Sequence, residues 1–281
     1  MVIKMKIGVS SYSFNGYRAQ TGCSYTALCD KAKELGFDGI EFIDLEGDDP
    51  LKTAREIREH CEKIGLAVIA YTVSADFMAE DPEKTVEAVC RKIDICEALG
   101  ATLLRHDVCY GLPKKPLANW EDAMAHMAPY IRRVTEYAAA RGIRTCTENH
   151  GYIFQRPERV EALIRTVHHE NYGWLCDMGN FLCADADPVL SVTTAAPYTF
   201  HVHAKDFLFK AGGEAPAGFF PTAGKNWLRG TVVGHGAVPV AQCLEILKSA
   251  GYDGWVSLEF EGPEDTLTAL SWGIQYLQKH I

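Results

Sequence analysis

The chain has 281 residues, 47% of them apolar and 23% charged, which excludes a disordered polymer and suits one large domain or two small ones. Its formal net charge of −9 argues against sequence-independent binding of DNA or RNA, which depends on neutralising phosphates. No run of about 18 apolar residues occurs, so no membrane span is expected.

The opening residues, MVIKMKIGVS, enter an apolar run almost at once, without the apolar core and cleavage site of a secretory signal. Ten cysteines are scattered along the chain, none in a C-x-x-C pair. With no signal, they read as reduced core thiols of a cytoplasmic protein rather than a catalytic nucleophile.

Apolar runs alternate with amphipathic stretches from end to end. The first strand is expected at IGVSSYSF (7–14), followed by a helix around 26–36 that Gly36 stops. DGIEFID (38–44), a helix over 51–65 and LAVIAYTVS (66–74) come next. A helix over 81–100 opens on Asp-Pro and ends in Gly, and ATLLRHDV (101–108) is the fourth strand. A long helix is expected from about Trp120 to Arg141.

The second half keeps the rhythm. IRTCTENH (143–150) precedes a helix from Pro157 to His168, and YGWLCDMGN (172–180) precedes one opened by Asp187-Pro188. YTFHVHAKD (198–206) is the seventh strand, 238–251 the seventh helix and DGWVSLEF (253–260) the eighth strand. A last helix covers 263–280. Eight strand–helix units predict a single α/β domain over residues 1–281, a closed parallel (β/α)8 TIM barrel with outer helices. The competing doubly wound open sheet usually carries a Gly-rich phosphate turn after its first strand, and SSYSFNGY has none. Residues 207–237 break the rhythm and read as an active-site loop carrying Lys210, Phe219, Phe220, Lys225, Trp227, Arg229 and His235. A variable surface insertion is the plainer alternative.

Four apolar runs each end on a metal-ligand type: Glu148 in RTCTENHG, Asp177 in GWLCDMGN, His203 in TFHVHAKD and Glu259 in GWVSLEFEG. Ends of successive parallel strands converge at one mouth of a barrel. Three carboxylates and an imidazole there suit one divalent ion, Mn²⁺ first, with Co²⁺, Mg²⁺ or Zn²⁺ also compatible. Internal ion pairing is the structural alternative.

The order Glu, Asp, His, Glu on the fifth to eighth strands resembles the xylose isomerase-like barrels, including the sugar phosphate isomerase/epimerase group and the ketose 3-epimerases. GFDGIEF, TENHG, CDMGN, FHVHAKD, VSLEFEG and the Gly-x-Gly near 234–236 carry the resemblance over essentially the whole chain. It implies that Glu148, Asp177, His203 and Glu259 hold the ion and that Glu148 and Glu259 also exchange a proton beside a carbonyl. The chain departs from the ketose epimerases at Asn180 and Phe154, where they resemble a His and a second Glu, and in HAKDFLF, which lacks an expected Arg.

The implied reaction is proton abstraction α to a carbonyl through a metal-stabilised enediolate. Returning the proton gives an epimer or an isomer; expelling a β group gives an elimination product. A sugar isomerase/epimerase is the leading expectation and a lyase of 3-keto-glycosides the alternative. Rivals are an endonuclease IV-like repair enzyme, which needs more histidines and a basic face, and a non-catalytic sugar-binding barrel. His106 and His150 are added as acid/base candidates, with packing as the alternative for each. Glu41, Asn180, Lys205, Trp227 and His235 are expected substrate contacts. Tyr12, Phe14, Tyr71, Phe77 and Tyr110 are candidate walls of the pocket. The partner is expected to be a small carbohydrate, with homo-oligomerisation left open.

Overall fold

The structure, a computed structural model, describes residues 5–112, 119–151 and 153–281. Strands β1 (Lys6–Ser10), β2 (Gly39–Ile43), β3 (Ala67–Val73), β4 (Leu103–His106), β5 (Arg144–Glu148), β6 (Tyr172–Asp177) and β7 (Thr199–Ala204) follow in sequence. A three-stranded excursion, β8 (Asp206–Lys210), β9 (Phe220–Pro221) and β10 (Trp227–Thr231), precedes β11 (Trp255–Leu258). The barrel closes in the order β1-β11-β7-β6-β5-β4-β3-β2, every neighbour parallel. This is a (β/α)8 TIM barrel, as the alternation predicts.

The outer helices begin on a recurring local signal. Asp49, Asp81 and Asp187 each precede a proline, and each carboxylate accepts the backbone N–H three residues on, at 3.0, 3.4 and 3.0 Å. The aspartate caps an otherwise orphaned donor, and the proline occupies a position whose N–H would be unpaired anyway. The helices Pro50–Ile64 and Pro82–Leu99 end on Gly65 and Gly100 in the left-handed conformation.

Strand alternation separates two cores. Outward side chains such as Phe42, Trp174 and Val202 join the large core under the helices. Inward ones form a small plug of Ala70, Leu103, Cys146 and Leu175, against which Phe200 packs. Gly173 faces that ring: a Cβ there would come within 2.6 Å of Phe200. Two residues further along their strands, Thr72, Arg105, Glu148 and Asp177 take the place of apolar groups. The chemistry thus begins where the plug ends.

Two expectations change. β1 ends at Ser10, whose side chain accepts from the Tyr12 N–H; a 3-10 turn (Ser11–Phe14) and a short helix (Asn15–Thr21) complete the first excursion. The segment 207–237 is a small antiparallel sheet for much of its length, with β10 between β8 and β9. Its root is Asp206, whose carboxylate accepts the N–H groups of Phe207, Gly234, Gly236 and Val238 at 2.8–3.0 Å. A Cβ on Gly236 would lie 2.2 Å from Asp206 Oδ1, so this glycine is required by the closeness of the carboxylate.

Candidate metal centre and the cavity above it

Glu148 ends β5, Asp177 ends β6, His203 lies one residue from the end of β7, and Glu259 follows β11 directly. Glu259 is fixed by its N–H, which donates to the Ala204 carbonyl at 3.0 Å. One ligand atom from each of the four residues lies within 4.8 Å of the others, and all four residues are buried. His203 Nδ1 faces the set, 3.4 Å from Glu259 Oε2, 3.7 Å from Asp177 Oδ2 and 3.9 Å from Glu148 Oε1. His203 Nδ1 is buried without a hydrogen-bond partner, and Asp177 Oδ2 is buried with the Lys205 ammonium 3.2 Å away. Leaving the imidazole nitrogen unpaired is costly, and three carboxylates around an imidazole fit a hard or borderline divalent ion.

The ligand set is braced from the side. Asp177 Oδ1 accepts from the N–H groups of Gly179 and Asn180 at 2.8 and 2.9 Å. Asn180 Nδ2 donates to Glu148 Oε1 at 2.7 Å, and its Oδ1 accepts from Lys205 at 3.3 Å. Asn149 ties β5 to β6: its Nδ2 donates to the Asp177 carbonyl, and its Oδ1 accepts from Asp177 N and Trp174 Nε1.

Beneath His203, Glu41 Oε1 lies 2.7 Å from Nε2. The other oxygen, Oε2, is 2.7 Å from His201 Nε2 and accepts from Ser257 Oγ at 3.1 Å. Burial works to raise the Glu41 proton affinity, but the two imidazoles outweigh it and hold the carboxyl well below its usual range.

Two buried cations face the carboxylates from above. Lys205 Nζ is 2.5 Å from Glu259, 3.2 Å from Asp177 and 3.6 Å from Glu261. Arg105 Nη2 is 2.8 Å from both Glu148 and Asp107. Burial opposes ionisation of Glu259, and Lys205 with His203 more than offsets it, so that carboxyl sits well below its ordinary range. For Glu148 burial dominates Arg105, and the proton affinity rises. Asp107 also accepts from His150 Nδ1 at 2.9 Å and is held down at about 2, Arg105 and His150 overcoming the effect of burial.

These groups open into a cavity of about 290 Å³. Glu148, Glu259, Lys205, Arg105, Asp107, His150 and Glu261 line it, with Tyr12, Thr72 and Ser74 supplying hydroxyls.

Of the sequence-predicted residues, the structure brings Glu148, Asp177, His203 and Glu259 together, with Lys205 and His150 beside them. Glu41 lies below the cluster, and Asn180 is buried among the ligands; neither lines the cavity. His106 is placed elsewhere. It points away from the barrel interior, stacked on Tyr172 at 5.9 Å and edge-on to Phe77 at 5.5 Å, with Nδ1 against the Asp107 carbonyl. Trp227 sits in the small sheet with Nε1 donating to the Gly213 carbonyl, and His235 packs on Trp272 on the outside. Neither they nor Phe219 and Phe220 line the cavity. Phe14, Tyr71 and Phe77 are core, Tyr110 is exposed, and only Tyr12 of the proposed aromatic walls reaches the cavity.

Sequence reasoning did not single out Arg105, Asp107 or Asn149. The signal for Arg105 was strand alternation: it lies two residues beyond the inward Leu103.

The carboxylate–imidazole cluster at the C-terminal mouth of this TIM barrel is a candidate divalent-metal site. The chain belongs to the xylose isomerase-like TIM barrel family, whose model matches residues 29–280. It is 28% identical over 245 residues to the rhizopine catabolism protein MocC of Rhizobium meliloti, covering 82% of this chain and 72% of that protein. It is 22% identical over 251 residues to the inosose dehydratase of Lacticaseibacillus casei, covering 85% and 82%. A 28% match to 3-dehydroshikimate dehydratase of Pseudomonas aeruginosa spans 54% of this chain and only 24% of that longer protein. Among solved structures, the probable 3-DHS dehydratase AsbF of Bacillus anthracis superposes with a TM-score of 0.74 at 20% identity, covering 98% of this chain and 99% of AsbF. The IOLI protein with a bound zinc atom gives 0.77 at 17%, covering 99% of both chains. An L-ribulose 3-epimerase gives 0.73 at 17%, covering 98% and 94%. These likenesses establish the fold.

Proposed function

We propose that the protein is a divalent-metal-dependent lyase that removes a proton α to the carbonyl of a small hydroxylated ketone and expels a β-oxygen. The observation that carries this reading is the cavity itself. A proton acceptor, Glu259, and a second proton-bearing group, His150 held by Asp107, line one space above a four-residue ligand set. The dehydratase names of two relatives support elimination over epimerisation.

Glu148, Asp177, His203 and Glu259 would hold the ion. When bound, it supplies a fixed positive charge that stabilises negative charge developing on a substrate carbonyl oxygen. Lys205 keeps the Glu259 carboxyl ionised, and this carboxylate accepts the α proton. Electrons of the broken C–H bond form the new C=C bond, and the Cβ–O bond breaks. The leaving oxygen takes a proton from His150, whose proton affinity Asp107 and Glu148 raise against the opposing effect of burial. The products are an unsaturated ketone and water, or an alcohol where the leaving group is a glycoside oxygen. A second reading, epimerisation or isomerisation, rests on one observation: Glu148 and Glu259 both line the cavity, so a second carboxylate is present to return the proton.

The test is a panel of inososes, 3-dehydroshikimate, 3-keto-glycosides and free ketoses. Each is incubated in D₂O with protein loaded with Mn²⁺, Co²⁺, Mg²⁺ or Zn²⁺. Formation of an unsaturated ketone supports the lyase. Deuterium uptake without elimination selects the epimerase reading. No exchange into any member with any ion overturns both.

A further inference from the structure

Outside the barrel wall, two thiols that the proposed reaction does not use lie against each other. Cys29 is on the helix Tyr25–Glu34, before β2, and Cys61 on the helix Pro50–Ile64, after it. Their Sγ atoms are 3.4 Å apart, and both residues are buried. Neighbouring contacts keep the pair opposite one another. Beside it, His60 Nε2 is 2.7 Å from Asp30 Oδ1. One turn beyond each cysteine, Lys33 Nζ donates to the Gly65 carbonyl at 2.7 Å. The register of the two helices is thus held by groups other than the thiols.

The spacing suits a covalent bond. A disulfide places its sulfurs about 2.0 Å apart, so closure asks each Sγ to move by about 0.7 Å, which a small turn of the side chain supplies. Access comes from the position of Cys61 in its helix. Its carbonyl accepts the N–H groups of Gly65 and Leu66, which close the last turn. Helix ends fray, and opening of that turn admits a small solute to the sulfur.

The geometry points to a modification site: within the folded protein, a hydroperoxide joins Cys29 and Cys61 in a disulfide that staples the two helices. One thiolate attacks a peroxide oxygen, and the O–O bond breaks. With hydrogen peroxide this gives a sulfenic acid and hydroxide, which takes up the proton that the thiol released. The second sulfur attacks the sulfenic sulfur, the S–S bond forms, the S–O bond breaks, and hydroxide leaves as water with the proton of the second thiol. Two thiols lose two electrons, and one peroxide becomes two waters. The inference is independent of the reaction proposed above.

The experiment treats the reduced full chain with hydrogen peroxide under native conditions. The protein is then unfolded, alkylated, digested without reductant and mapped by mass spectrometry. Two of the ten thiols should be lost, and one cross-linked peptide should join Cys29 to Cys61. The bond encloses a separation of 32 residues, and by restricting the unfolded chain it should raise the thermal midpoint by about 5 °C or more. Dithiothreitol should reverse both changes. Cys29→Ala and Cys61→Ala, checked for folding by circular dichroism, should each abolish the cross-link and the shift. A bridge between other cysteines, a bridge formed only in denaturant, sulfinic acid without a bridge, or a bridge that leaves the midpoint unchanged or lowers it overturns the proposal.

Discussion

Arg105 and Glu148 meet across adjacent barrel strands, Nη2 to Oε2 at 2.8 Å, with both side chains almost fully buried. The guanidinium reaches Asp107 at the same distance. One cation thus neutralises a ligand carboxylate and the group that holds His150.

Removing Arg105 while keeping its bulk leaves buried Glu148 without its guanidinium and Asp107 with His150 alone. Arg105→Met should destabilise the metal-free protein by about 3–5 kcal/mol, the cost of breaking a buried ion pair from one side. Added divalent ion should restore part of that loss, since it supplies positive charge beside Glu148. Urea unfolding with and without metal reads both effects; an unchanged midpoint in the metal-free variant contradicts the assignment.

Glu259→Gln keeps the shape of the side chain and one ligand oxygen but removes a base near neutral pH. It should abolish deuterium exchange at the substrate α carbon, while Glu148, Asp177 and His203 still retain metal with modest loss. Exchange is followed by NMR on a confirmed substrate, with metal content measured on the same samples. Near-normal exchange in the loaded variant would remove Glu259 as the base and leave Glu148 or His150 as candidates.

Glu41 sits behind the imidazole, 2.7 Å from Nε2, with Nδ1 turned to the other ligands. Groups behind a metal-binding histidine fix its orientation and basicity, and losing them typically costs about 10–100-fold in metal affinity. Glu41→Ala should show a loss in that range by chelator competition with Zn²⁺ or Mn²⁺ alone. Affinity equal to that of the parent would reduce Glu41 to a packing role.

His106 should matter to acid stability and not to the reaction. Burial pushes its imidazole down to about 4. An unfolded chain takes up that proton near pH 6.5 and the folded one does not until far lower, so the stabilisation is complete above about pH 6.5 and is lost as pH falls toward 4. The loss amounts to about 3 kcal/mol across that window. His106→Phe should flatten this part of the urea-midpoint profile between pH 7 and 4.5 and keep α-proton exchange at neutral pH. Loss of exchange in a folded variant would place His106 in the chemistry after all.

The barrel was legible because its signals are local and repeat. Asp-Pro opens helices at 49–50, 81–82 and 187–188, Gly65 and Gly100 close two of them, and each intervening apolar run is a strand. Glu148, Asp177, His203 and Glu259 could be found because each is polar at the end of an apolar run. Arg105 and His106 were harder to separate. Both are polar at the end of β4, and a shift of one residue in strand parity exchanges inside for outside. Asn149 and Asn180 act through hydrogen bonds to neighbouring strands, and such partners depend on register, which periodicity does not encode. The sheet at 207–237 was obscured by its short strands and glycine-rich turns.

Asp206 gathers four backbone N–H groups from both ends of that excursion into one carboxylate. The insert is thus pinned at its neck, and it is pinned a second time beyond it, where Asp185 accepts from Thr222, Asn226 and the Gly224 N–H. Loop-closure cost grows only slowly with added residues once the ends are pinned. An exchange of residues 208–232 between relatives would therefore have to carry Asp185, the anchor of its tip, as well as keep Asp206, Gly234 and Gly236, if the ligand-bearing strands are to hold their register.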